Sequence, residues 1–176
     1  MNLTKVIITG LLMIAVAAGA ALYYLQIYAF YDEVALTADD LQLTSIFTGE
    51  PEPILADNVE AIDGDSSPLK FRACFDTTLS FGLLTETYTV YETAEPIVAP
   101  PWFDCFDADQ IGADLESGVA LAFLGTENVQ YGIDRIIAIY PDGKGYAWHQ
   151  INHCGEVVFD GNPAPEDCPP APESLQ

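Results

Sequence analysis

Positive charge is the scarcest commodity in this chain. Five Lys and Arg stand against 27 Asp and Glu, for a formal net charge of −22. Beyond Phe30 the imbalance sharpens: all 27 acids lie there, against Lys70, Arg72, Arg135 and Lys144, a net −23. A field of that sign repels phosphate backbones and anionic headgroups, which excludes DNA and RNA as partners. It attracts cations and basic proteins. It also serves plain solubility, or life in salty surroundings where screening is strong.

Catalytic signatures are missing too. There is no Gly-x-Ser-x-Gly elbow, no His-Glu-x-x-His, no phosphate-binding loop and no dinucleotide fingerprint. Two carboxylates suffice for glycoside hydrolysis, but so many acids produce close pairs by chance. The histidines number two, His149 and His153. On a helix, that spacing would put them on one face, able to chelate zinc. The context reads instead as a strand running into a turn, where they stand about 13 Å apart at about 3.3 Å per residue. Asp63, Asp65 and Ser67 resemble the start of a calcium loop. Pro68 and Cys74, however, occupy the positions that need Gly and a bidentate Glu. Asp63 and Asp65 are thus weak metal candidates, and no metal or cofactor is expected.

No Cys-x-x-Cys pair occurs among the four cysteines, Cys74, Cys105, Cys154 and Cys168. An even count at wide spacing indicates two disulfides and an oxidising compartment. Three connectivities are open to four cysteines, and spacing alone does not choose. Cys74–Cys105 with Cys154–Cys168 is preferred, since the second bond would pin a Pro-rich tail to the domain. A Cys–His nucleophile built on Cys154 would need a free thiolate, which the even count opposes.

One long apolar run is present. Val6 to Phe30 contains no charged residue. At 1.5 Å per residue the run makes roughly 37 Å of helix, enough to cross a hydrocarbon core of roughly 30 Å with some tilt. A cleaved signal peptide is the rival reading, with Lys5 before the run and Ala18-Gly19-Ala20 as a cleavage site. The run continues past that site, however, through Tyr23, Tyr24, Tyr28 and Tyr31, an aromatic belt suited to a membrane boundary. An uncleaved anchor is therefore expected. Lys5 before the span and Asp32 and Glu33 after it place the N-terminus in the cytoplasm and the rest outside.

The remainder divides into a spacer (32–40), an acidic domain (41–160) and a Pro-rich tail (161–176), following the anchor (1–31). Leu41–Ile46 alternates as a strand does, and Leu69–Phe75 does so more cleanly, predicting a half-buried strand. The basic face of that strand, Lys70 and Arg72, is expected to meet carboxylates. Thr87–Tyr91 is a further strand candidate. Asp107 and Gln110 form a helix start, with Ile111 and Leu115 on one face and Gly118 as the stop. Val119–Leu124 predicts a buried strand. Ile133–Tyr140 and Tyr146–Ile151 flank Pro141-Asp142-Gly143-Lys144-Gly145 and predict a hairpin. Val157-Val158-Phe159 predicts one more short strand. The fold class is α+β: an N-terminal transmembrane helix, then a small, mostly antiparallel sheet with one or two short helices.

Phe71-Arg72-Ala73-Cys74-Phe75, Trp102-Phe103-Asp104-Cys105-Phe106-Asp107, Phe123-Leu124-Gly125-Thr126-Glu127-Asn128 and Tyr131-Gly132-Ile133-Asp134-Arg135 carry a resemblance. So do Trp148-His149-Gln150-Ile151-Asn152 and Cys154-Gly155-Glu156-Val157-Val158-Phe159-Asp160-Gly161. Together they resemble an uncharacterised family of small single-span membrane proteins of alphaproteobacteria. The resemblance implies no activity. Members are sometimes named histidine kinase, which this sequence does not support: neither a phosphoacceptor helix pair nor Gly-rich nucleotide motifs are visible.

The leading expectation is a non-catalytic binding or accessory protein of the inner membrane, with its domain in the periplasm. A cationic periplasmic protein or a membrane complex would be its partner. The alternative is a periplasmic hydrolase using carboxylates and His149 or His153. A deep pocket gathering Glu127, Asp134, Arg135 and His149, with His153 nearby, would favour it; a packed region there would oppose it. A third expectation is an envelope sensor or assembly factor.

Overall fold

In the computed structural model, residues 3–37 and 40–175 are described. Helix α1 (Leu3–Ile27) is apolar, exposed along its length, and long enough to cross a membrane. The described residues that follow contain eight strands: β1 (Asp32–Glu33), β2 (Gln42–Thr44), β3 (Pro51–Pro53), β4 (Asp57–Asp63), β5 (Arg72–Asp76), β6 (Leu121–Gln130), β7 (Ile133–Ile139) and β8 (Lys144–Ile151). Three short helices accompany them: α2 (Phe81–Thr87), α3 (Ala108–Glu116) and α4 (His153–Phe159). The fold is α+β. Six strands form one antiparallel sheet in the order β1-β4-β5-β8-β7-β6, and β2 and β3 form a small second sheet.

The sheet is covered on both faces, and period-two alternation sorts its side chains into two cores. On one face Phe71, Ala73, Phe75, Ile137, Ile139 and Ala147 pack with Leu41 and Leu43 of the small sheet and Leu84 of α2. On the other, Ile62, Cys74, Ile136, Ala138 and Trp148 pack under Ile111 of α3 and under Phe103 and Phe106. Strand β5 is therefore buried on both sides, not half-buried: Arg72, Ala73, Cys74 and Phe75 are all inside. The alternation of bases and apolar residues had suggested a solvent face, but α3 and the irregular segment 96–106 cover it.

The hairpin of β7 and β8 pairs as expected, with Ile139 opposite Gly145. Helix α3 starts at Asp107, whose side chain accepts from the Gln110 N–H at 3.1 Å. Gln110 does not complete the capping box; its amide donates to Asp114 instead. Gly118, at φ +74°, follows the helix end. Two local expectations are corrected. Val157-Val158-Phe159 is helical, because Asn152 caps α4 by accepting from the Gly155 N–H at 3.0 Å. Thr87 closes α2, which starts at the Ser80 cap, and only Tyr88 and Val90 make isolated bridges, to Ser45 and Phe123.

Both disulfides take the preferred pairing, Cys74–Cys105 and Cys154–Cys168. The expected spacer contributes β1, which pairs with β4, and Val34 and Leu36 pack on the core. The tail is largely irregular, held by Cys168 and by the Tyr131 hydroxyl, which donates to the Pro169 carbonyl at 3.0 Å.

Candidate functional site

The residues singled out as a possible cluster divide between the two faces of β7 and β8. Arg135 and His149 sit directly opposite each other. His149 is 6% exposed. Its Nε2 accepts from Arg135 Nε at 3.1 Å, because a guanidinium only donates. The ring proton is then on Nδ1, which donates to the Pro68 carbonyl at 2.6 Å. The imidazole stacks on Phe71, centroids 4.6 Å apart, and the Arg135 guanidinium lies 4.2 Å from the same ring. Arg135 also donates to the Asp40 carbonyl at 2.5 Å. Both nitrogens of His149 are occupied, and a small recess lined by Asp63, Asp65, Pro68 and Gln130 reaches it from outside.

Burial pushes the His149 pKa down to about 4, with Arg135 and Arg72 adding to the shift and the Pro68 bond opposing it. The imidazole is thus neutral at pH 7. A folded value below the ordinary 6.5 means the unfolded chain takes up the proton first. This contribution is complete above about pH 6.5 and is lost as pH falls towards about 4. Acid also relieves the carboxylate repulsion, so the comparison must be internal. Relative to His149→Gln, the wild-type protein is expected to lose up to about 3 kcal/mol of unfolding free energy between pH 6.5 and 4. Denaturant titration at several pH values measures it, and parallel curves would sink the idea.

Asp134 faces the other way. Among the described residues it is the one buried acid. It accepts from the Asn128 N–H at 2.9 Å and from the Asn152 side chain at 2.7 Å. It thereby ties the β6–β7 turn to the cap of α4. Asn128, at φ +49°, also accepts from the Gly132 N–H at 2.9 Å. Gly132, at φ +77°, and Gly155 touch here, and a Cβ on Gly155 would come within 2.2 Å of the Gly132 carbonyl oxygen. Glu127 is exposed, and so is His153 at the start of α4. Glu127, Asp134, Arg135, His149 and His153 therefore line no common pocket.

Among the described residues, His153, Asp167 and Cys168 bring potential metal-ligand atoms within 4.8 Å of one another. Cys168 is spent in a disulfide, however, and His153 and Asp167 are exposed and 3.9 Å apart. Asp63 accepts from the Gly64 N–H at 2.8 Å and lends its charge to Arg72 and Arg135; Asp65 is exposed at the same turn.

The decisive arrangement involves residues that sequence reasoning gave another role. Arg72 is 1% exposed, yet it meets carbonyls rather than the expected carboxylates. Its Nε donates to Ile97 at 2.7 Å, Nη1 to Leu69 at 2.7 Å and Phe71 at 2.6 Å, and Nη2 to Val98 at 3.3 Å. Burial lowers its pKa to about 10, which leaves it charged at pH 7. Lys70 likewise donates to a carbonyl, that of Phe30. Lys144 pairs with Asp76 at 2.6 Å, which holds the Asp76 carboxyl below its usual range. All four bases of the domain are thus engaged within the fold.

On the face that carries Arg72, a groove of about 690 Å³ runs between α3, the start of β6 and residues 90–96. Its floor is small and apolar, with Ala94, Ala108, Gly112 and Ala122, and Glu92, Glu95, Asp109 and Glu116 stand exposed along it.

No curated protein and no solved structure matches this chain. A family model described as a family of unknown function (DUF6446) matches residues 41–169, from the first residue before β2 to just past Cys168. That is most of the chain and nearly all of the folded domain, and the protein belongs to this family.

Proposed function

We propose that the protein is a non-catalytic binding or accessory protein, anchored in the inner membrane by α1, whose acidic domain works in the periplasm on a cationic partner. The observation that carries this reading is the fate of the positive charges. Arg72 is buried on carbonyls, Arg135 is half-buried on His149 and the Asp40 carbonyl, Lys144 is paired with Asp76, and Lys70 lies against the end of α1. Among the described residues every acid but Asp134 remains at the surface, so the exposed surface is close to single-signed. Such a surface accelerates the encounter with a basic partner and rejects acidic ones.

The packing of His149 and Arg135 supports the same reading. General acid–base work needs a titratable atom within reach of a substrate, and both imidazole nitrogens already have partners. The groove beside α3 offers a recess where apolar contact and acidic groups occur together. Disulfides suit an oxidising compartment, and the acids that follow α1 suit a cytoplasmic N-terminus.

An arginine-rich peptide, titrated by fluorescence anisotropy against full-length protein in nanodiscs, tests the proposal. Binding is expected to weaken by tenfold or more between about 0.05 and 0.5 M salt as the screening length contracts. Replacing Glu92, Glu95 and Glu116 by Gln and Asp109 by Asn is expected to weaken it more than neutralising Asp160 together with the three acids of the tail, Glu166, Asp167 and Glu173. Affinity that ignores both salt and these substitutions would count against the reading.

A further inference from the structure

The domain does not hang from α1 on a tether; it grips the end of the helix. Trp102, which comes from the irregular segment that covers Arg72, donates from Nε1 to the Ile27 carbonyl at 2.8 Å. That is one of the carbonyls left open at the helix C-terminus. The indole stacks on Tyr28, centroids 6.4 Å apart at 13°, and meets Tyr31 edge-on at 6.3 Å. Lys70 donates to the Phe30 carbonyl at 3.0 Å, and its ammonium lies 4.8 and 4.7 Å from the Phe30 and Tyr31 ring centres. The Phe30 carbonyl also occupies the space where Gly64 would carry a Cβ, 2.1 Å from that position. Five residues after Ile27, at Asp32, the chain already pairs into the sheet as β1.

Depth follows from the helix. Val6 to Leu25 supplies about 20 residues, roughly the 30 Å of a hydrocarbon core. Ile27 stands about 3 Å further along the axis, within the polar layer of several ångströms that borders the core. Tyr23, Tyr24 and Tyr28 are exposed around the same level. Trp and Tyr favour that layer, because the ring is apolar and its polar edge stays wet. An ammonium group there is within reach of lipid phosphates, and Lys70 has two N–H donors beyond the one on Phe30.

We propose that Trp102 and Lys70 extend the aromatic belt of α1 and seat the domain in the phospholipid headgroup layer, so that one fixed face of the domain rests on the membrane. This rests on reading α1 as a membrane span. The partner surface is the bilayer itself: Trp102 is the interfacial anchor and Lys70 the phosphate contact.

The chain has two tryptophans, and the second, Trp148, is fully buried in the domain core. The full-length protein is reconstituted into phosphatidylcholine vesicles whose acyl chains carry bromine either just below the headgroup or near the chain end. Trp148→Phe leaves Trp102 as the sole tryptophan; it removes an indole N–H that has no hydrogen-bond partner among the described residues. The shallow bromines are expected to quench Trp102 about twofold or more, and more than the deep ones, as for an interfacial indole. In Trp102→Phe, Trp148 is expected to ignore both lipids. That variant keeps the test decisive if Trp148→Phe fails to fold, because the wild-type quenching must then vanish in it. Vesicle-bound protein whose Trp102 ignores both lipids yet is quenched by aqueous iodide overturns the seat while sparing the anchor. Protein that does not float with the vesicles overturns the anchor, and the seat with it.

Discussion

Arg72→Met is expected to lower the unfolding free energy of the domain by about 3–5 kcal/mol, the range for removing one partner of a buried charged network. Methionine keeps most of the stem and loses every donor. Leu69, Phe71, Ile97 and Val98 would keep their carbonyls with nothing in Met to replace the guanidinium. Replacing a buried ion pair with apolar residues can be neutral when both partners go; here the partners are main chain and cannot be replaced. Arg72→Lys is expected to recover little, since one ammonium cannot serve acceptors placed around a planar fork. Denaturant unfolding of the full-length protein, followed by near-ultraviolet circular dichroism, gives the number. A loss below about 1 kcal/mol, no more than one ordinary hydrogen bond, would show that water replaces the guanidinium without cost.

Removing the first disulfide is the second large effect. Cys74 and Cys105 are 31 positions apart. Closing a loop of that length is worth about 3.5–4 kcal/mol in the chain-entropy account, against about 3 kcal/mol for the shorter loop of Cys154–Cys168. The double variant Cys74→Ala, Cys105→Ala is expected to lose about that much. It should also interact with Arg72→Met. Arg72 and Cys74 lie on the same face of β5, and both hold the segment that runs from Ile97 to Cys105. Once one fastening is gone the other holds less, so the combined loss is expected to fall short of the two single losses added. Strict additivity would show that the fastenings act on separate units. A thiol titration of the unreduced wild-type protein that finds free cysteines would undo this expectation and weaken the periplasmic placement.

Elements with local signals were legible in the sequence. The β7–β8 hairpin announced itself by two apolar runs around Pro141-Asp142-Gly143, and α3 by its Asp107 cap. The long helix announced itself by uncharged length. What was not legible depended on partners far along the chain. Arg72 reads as a solvent-facing base beside apolar neighbours, and nothing nearby says that a segment 25 residues on will cover it. Val157-Val158-Phe159 reads as strand by its β-branched residues, yet the Asn152 cap and the tight contact of Gly132 with Gly155 set a helix there. Helix α2 went unseen because Gly82, Thr85 and Thr87 are poor helix formers and Ser80 carries its signal almost alone. The pairing of Arg135 with His149 could have been found: counting back four positions from Ile139 and forward four from Gly145 puts them opposite each other. Their burial could not, because it comes from Pro68, Asp40 and Phe71 in other parts of the chain.

The hold of Arg72 on Ile97 and Val98 has a bearing on how this chain can change over generations. A guanidinium that grips carbonyl oxygens takes hold of groups every residue possesses. Val98 is 69% exposed, and its side chain takes no part in the grip. Positions 97 and 98 are thus free to drift in identity while the path of the main chain stays fixed. The demand falls instead on one base in β5 and on the cysteine two places after it. A stretch that looks irregular and weakly specified is held in register from the strand beneath it, so substitutions at positions 97 and 98 are expected to leave the domain's outline unchanged.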